Sequence, residues 1–135
     1  MKKFLKRLTI LFSAGCLGGL LNSLVIWFFG AKEITAALSV KIAPQLTGAW
    51  LCPRIVWGGI WGFLFLLPLS LKSVVFRGFL YSLGPTITQL FILFPAEASK
   101  GMMGLKLGDM TPAFVLFFNA VWGISTALWV KLAEE

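Results

Sequence analysis

One arginine stands well inside an apolar run. The stretch is Trp50-Leu51-Cys52-Pro53-Arg54-Ile55-Val56-Trp57-Gly58-Gly59-Ile60-Trp61-Gly62. A guanidinium stays charged at any working pH and offers a planar fork of N–H donors with no acceptor. Away from water, such a group binds anions, carbonyls or hydroxyls. Its chemistry is therefore recognition rather than bond-making. A shorter, neutral echo, Asn119-Ala120-Val121-Trp122-Gly123, follows 65 residues later.

Three fates are open to Arg54. It can snorkel outward to lipid phosphate or to loop acids such as Glu33, Glu97 or Asp109. It can cap carbonyls freed near Pro53. Or it can bind an anionic ligand and line a polar pathway with Asn119, Asn22 and Gln89. Only the third makes a site. The ligand or pathway candidates are then Arg54, Asn119, Asn22, Gln89, Trp57 and Trp122. Trp57, Trp61 and Trp122 lie deep in their apolar runs and are expected to pack, with a pocket wall as the sharper role. Trp27, Trp50 and Trp129 lie near run ends and fit an aromatic belt.

Other chemistry is poorly supplied. The chain has no histidine, and its five acids (Glu33, Glu97, Asp109, Glu134 and Glu135) lie outside the apolar runs. That removes most acid–base and hydrolytic metal chemistry, so no enzyme, metal site or cofactor is expected. Cys16 and Cys52 fall in different runs at different depths, which argues against a disulfide.

The elements that hold these residues follow from composition. Of 135 residues, 59% are hydrophobic and 13% charged, against roughly 45–50% and 25% in soluble domains. The expected fold is an all-α integral membrane protein, a single domain with four transmembrane helices. A bilayer core takes about 20 apolar helical residues. The spans are expected at about 8–30, 47–71, 74–94 and 111–130. A short amphipathic segment at 34–46 should lie in the interface, since Ile34, Leu38 and Ile42 recur at helical spacing and Pro44 ends it. The second connection, 95–110, is glycine-rich and a weaker helix former. The basic start and Ser13-Ala14-Gly15-Cys16 approach a lipoprotein signal. However, only about five apolar residues precede Ser13 and the run continues past Cys16, so an uncleaved helix is expected.

Small residues mark where helices approach. Gly15 and Gly19 form a GxxxG pair on the face that carries Gly18 and Asn22, and Gly58, Gly62 and Gly123 are further packing candidates. The third span has a polar stripe of Gly78, Ser82, Thr86 and Gln89, with a kink expected at Gly84-Pro85.

Charge sets the orientation. Lys2, Lys3, Lys6, Arg7, Lys72, Arg77 and Lys131 cluster beside the spans on one side. Lys32, Lys41, Lys100 and Lys106 lie on the other. The positive-inside rule puts both termini in the cytoplasm of a multi-pass inner (cell) membrane protein. The charge of +7 is thus membrane anchoring, with no basic patch for nucleic acid.

A shift of 65 residues superimposes the halves 1–70 and 71–135 without gaps. Gly19 then meets Gly84, Phe29 Phe94, Ala31 Ala96, Lys41 Lys106 and Leu51 Leu116, and Val56-Trp57-Gly58 meets Val121-Trp122-Gly123. Both halves start and return on one side, so this would be a parallel repeat about an axis along the membrane normal. Arg54 then falls on Asn119. The expected function is a homo-oligomeric transporter or channel for a small anionic or polar solute. The alternative is a non-transporting accessory or lipid-binding protein that joins a larger membrane complex.

Overall fold

The computed structural model describes residues 1–40, 42–67, 73–96 and 102–134. Lys41, Lys72, Glu97, Lys100 and Glu135, all invoked above, lie outside them. The described residues are helical, with no strand among them. In hydrocarbon a backbone must satisfy its own hydrogen bonds, and a helix does so within one segment.

Four helical stretches are long and apolar enough to cross a membrane: Lys2–Ala31, Gly48–Leu66, Val74–Ala96 and Thr111–Glu134. This is the layout of a multi-pass membrane protein. The first is α1 (Lys2–Ala31), followed by the single turn α2 (Ile34–Ala37). The second is α3 (Gly48–Trp61), which tightens to 3-10 geometry over Gly62–Leu66. The third is α4 (Val74–Thr88), which widens to a π turn over Gln89–Leu93 and ends in α5 (Phe94–Ala96). After a 3-10 turn at Met102–Leu107, α6 (Thr111–Glu134) completes the set. Side-chain caps start two of them. Thr47 Oγ1 accepts from Trp50 N, and Ser73 Oγ from Phe76 N, both at 3.2 Å. Each satisfies one of the N–H groups a helix start leaves free.

α1 and α6 pack together at the centre. α3 packs on α1, and α4 packs on α6. Glycines set the two outer contacts. A Cβ at Gly58 would lie 2.7 Å from the Gly15 carbonyl oxygen and 2.9 Å from Gly19 Cα. A Cβ at Gly78 would lie 2.6 Å from both the Gly123 oxygen and Ile124 Cα. Side chains at these points would hold the backbones apart.

The first connection departs from the amphipathic helix expected over 34–46. Only Ile34–Ala37 is helical, and Ser39 takes a left-handed conformation (φ 61°). The Thr35 hydroxyl donates to the Ile42 carbonyl at 2.7 Å, and Val40 N–H donates to the Thr35 carbonyl at 2.9 Å. The segment therefore folds back on itself, and buried Val40 joins Ile26, Phe114 and Phe118. Burial of Val40 replaces the apolar stripe that spacing alone implied.

Both termini lie at one end of the bundle, called the terminal end here. Arg7 near the start of α1 and Glu134 at the end of α6 form an ion pair there, at 2.5 Å. The described parts of the two connections, 32–40, 42–47 and 102–110, lie at the opposite, far end.

Candidate functional site

α3 and α4 flank the α1–α6 pair without packing along each other, which leaves a cleft between them. The cleft has a volume of about 440 Å³. Toward the terminal end it is closed. There the Trp61 ring and Leu64 face Gly84, and Phe65 stacks on Tyr81 with ring centroids 4.1 Å apart. Phe65, Tyr81 and Trp122 belong to one buried cluster that fills the terminal half. The polar groups of its lining, Arg54, Asn22, Gln89, Thr88 and Asn119, lie on the far-end side of this aromatic plug.

Arg54 enters it from α3. Nε donates to Ser23 Oγ and Nη2 to Asn22 Oδ1, each at 2.9 Å. The guanidinium carbon sits 4.9 Å from the centre of the Trp50 ring, a cation–π contact. Asn22 is fixed at its other end as well, since Nδ2 donates to the Phe118 carbonyl at 2.5 Å. Asn22 thus links α1, α3 and α6. Among the described residues Nη1 has no hydrogen-bond acceptor, and it fronts the cleft. No acid lines the cleft, and the only ion pair among the described residues is Arg7–Glu134.

Across the cleft, Asn119 on α6 donates from Nδ2 to Thr86 Oγ1 at 3.1 Å and to Gln89 Oε1 at 3.3 Å. Gln89 opens the π turn of the third span, and its carbonyl accepts from Phe94 N–H five residues on. Gly84-Pro85, the expected kink, lies inside α4, and the departure from α geometry comes four residues later at this π turn. Pro85 has no N–H to donate, and the helix re-forms in a wider register. Counted from the far helix ends, Arg54, Asn22, Gln89 and Asn119 all lie roughly 9–14 Å deep.

The six candidates drawn from the sequence, Arg54, Asn119, Asn22, Gln89, Trp57 and Trp122, all line this cleft. Arg54 and Asn119 share it without bonding to each other. The two tryptophans differ. Trp122 is buried and donates Nε1–H to the Gly58 carbonyl at 3.2 Å, across the bundle. Trp57, expected to pack, is 60% exposed. It stands on the lateral wall, because α3 has a partner on one face only.

Of the three fates of Arg54, the side chain takes neighbouring side-chain oxygens and the cleft. It forms no pair with Glu33 or Asp109. Ser23 and Thr88 were missed by sequence reasoning. Ser23 is fully buried beside Asn22 and accepts from the Arg54 Nε–H; its one signal was adjacency to Asn22. Thr88 lines the cleft next to Gln89. Neither cysteine is bonded, with Cys52 exposed and Cys16 half-buried. No group of histidine, cysteine or acidic residues able to hold a metal occurs among the described residues. No family model, curated protein or solved structure matches this chain.

Proposed function

We propose that the chain binds a small anionic solute at Arg54 and acts as a transporter for it, working as a homo-oligomer. One observation carries this function. A guanidinium with no acid partner among the described residues, steadied by Ser23 and Asn22, lines the cleft between α3 and α4. Asn119, Gln89 and Thr88 supply further polar groups for an anion's oxygens or for the water around it. The aromatic plug of Trp61, Phe65 and Tyr81 favours a carrier that changes state over a standing pore. Catalysis has no support near Arg54, where base and nucleophile are both lacking.

The proposed parallel repeat fits the same cleft, with one adjustment. Gly58 rests on Gly15 and Gly19, while Gly123 rests on Gly78 and Ser82. Gly58 and Gly123 keep the shift of 65, but Gly15 and Gly78 are 63 apart. The frame that paired Gly19 with Gly84 therefore slips by two residues on the first helix of each half. In the adjusted frame Ser23 falls on Thr86, and Arg54–Ser23 becomes the charged twin of Asn119–Thr86. A repeat with one charged and one neutral site accounts for both pairs.

A flux assay tests the function. In proteoliposomes, uptake of chloride, nitrate, phosphate and acetate is compared between the wild type and Arg54→Gln. At least one anion should move faster than in protein-free vesicles, and Arg54→Gln should cut that flux roughly tenfold or more, the scale of one lost charged hydrogen bond. No movement of any of the four, or equal movement in the variant, counts against transport.

A second reading, lipid binding, is favoured by the exposed Trp57 and the open side of the cleft. Its anion would be a lipid headgroup. A phospholipid that copurifies with the wild type but not with Arg54→Gln, without flux, selects it.

A further inference from the structure

A second cavity, also about 440 Å³, lies at the terminal end, separated from the Arg54 cleft by the aromatic plug. Arg7, Arg77, Lys131 and Glu134 supply its charged lining. Arg7 is spoken for. Its Nη1 donates to both Glu134 carboxylate oxygens, at 2.5 and 2.8 Å, and its Nη2 to the Phe65 carbonyl at 3.1 Å. Arg7 and Glu134 thus cancel each other's charge and tie α1 to α6.

Arg77 and Lys131 then remain as two positive charges with no acid between them. The Arg77 side chain makes no hydrogen bond among the described residues, and its Nε is shut off from solvent without an acceptor. A shielded donor on a cation is costly to leave unpaired. If Arg77 only anchored the bundle, its guanidinium would reach out to water as membrane arginines do. Instead it lines a cavity.

The depth matches a headgroup. Arg77 lies about one turn inside the start of α4, and Lys131 about one turn from the end of α6. Both are thus at the level where lipid phosphates meet helix ends. Phe65 and Val130 add apolar wall beside the charges. Basic pockets between transmembrane helices bind anionic headgroups, and arginine takes phosphate oxygens in pairs through its planar fork.

We propose that this cavity is a phosphate-binding site, in which Arg77 and Lys131 hold the phosphate of an anionic phospholipid. Arg7 and Glu134 form its rigid rim. The site is independent of the Arg54 cleft and of any transport through it.

Native mass spectrometry of the full chain in mild detergent tests the site, with phosphatidylglycerol, phosphatidylcholine or inorganic phosphate added. The wild type should retain phosphatidylglycerol over phosphatidylcholine. Arg77→Gln should weaken phosphatidylglycerol retention roughly tenfold or more. Lys131→Gln, at an exposed position, should weaken it less and leave folding intact. Gly48→Ala, remote from both cavities and with room for its methyl, should leave it unchanged. Competition by millimolar inorganic phosphate would keep the phosphate chemistry and identify free phosphate as the source. Equal retention of both lipids by the wild type would overturn the site. So would phosphatidylglycerol retention unaltered in Arg77→Gln and Lys131→Gln alike. Should Arg77→Gln not fold, Arg77→Lys and Lys131→Gln carry the same comparison.

Discussion

Replacing Gly58 by alanine perturbs packing and the Arg54 cleft together. The new methyl would lie 2.7 Å from the Gly15 carbonyl oxygen and 2.9 Å from Gly19 Cα. Both neighbours are backbone, so no side chain can turn away. An ordinary contact starts near 3.4 Å, so α3 must leave α1 by roughly 0.7 Å, enough to stretch a good hydrogen bond past its useful range. The Trp122–Gly58 bond, already at 3.2 Å, goes first. Overpacking of this kind costs about 1–3 kcal/mol, and the weakened hydrogen bond adds about 0.5–1.5 kcal/mol. Alanine's better helix propensity returns about 0.5–1 kcal/mol. The net loss is about 0.5–4 kcal/mol, or roughly two- to several-hundredfold in the folding equilibrium. Gly48→Ala is the control, since a Cβ there meets nothing within 4 Å. Unfolding in mixed detergent micelles, followed by tryptophan fluorescence, compares the two. If Gly58→Ala is as stable as Gly48→Ala, the close α1–α3 approach is wrong, and the placement of Arg54 against Ser23 falls with it.

Three further outcomes are expected. Trp122→Phe should cost about 1–2 kcal/mol in the same assay, from a lost hydrogen bond and lost volume, whereas Trp57→Phe should cost under about 0.5 kcal/mol, as exposed positions do. In single-cysteine variants Cys52 should react with maleimide roughly tenfold faster than Cys16, because Cys52 is exposed and Cys16 packs on Gly59; equal rates would contradict the α1–α3 packing. Arg54→Asn should fold within about 1 kcal/mol of the wild type, the spread of ordinary substitutions, while losing anion flux. Failure to fold would make Arg54 a structural residue.

The four helices were legible because length and hydrophobicity decide them. About 20 apolar residues leave few alternatives to a spanning helix. The glycine contacts were legible in part, since only small residues let backbones meet, yet which helix each glycine meets is a tertiary fact. Gly18 faces α6, with a Cβ there 2.7 Å from the Trp122 oxygen, while Gly15 and Gly19 face α3. The interfacial helix at 34–46 misled because spacing cannot register a Thr35 hydroxyl that turns to the Ile42 carbonyl. Trp57 misled for a related reason. Depth in a run does not reveal which face lacks a partner.

Arg54 sits about 9 Å into its span, where a charge costs no more than the roughly 2.5–3.5 kcal/mol it costs at the centre on insertion scales. Its two hydrogen bonds, at about 1.5–3 kcal/mol each, and the Trp50 contact, at about 0.5–2 kcal/mol, match or exceed that cost. Asn119 gains a comparable set of contacts, to Thr86 and Gln89, from a side chain that is far cheaper to bury. Two solutions to the same packing problem thus stand in one chain, and the neutral one serves structure as well. What the charged one adds is the part of its guanidinium that no protein group uses. Those donors face an open cleft beside Asn22 and Gln89. The charge is what separates the two solutions, and an anion is the ligand we propose for it.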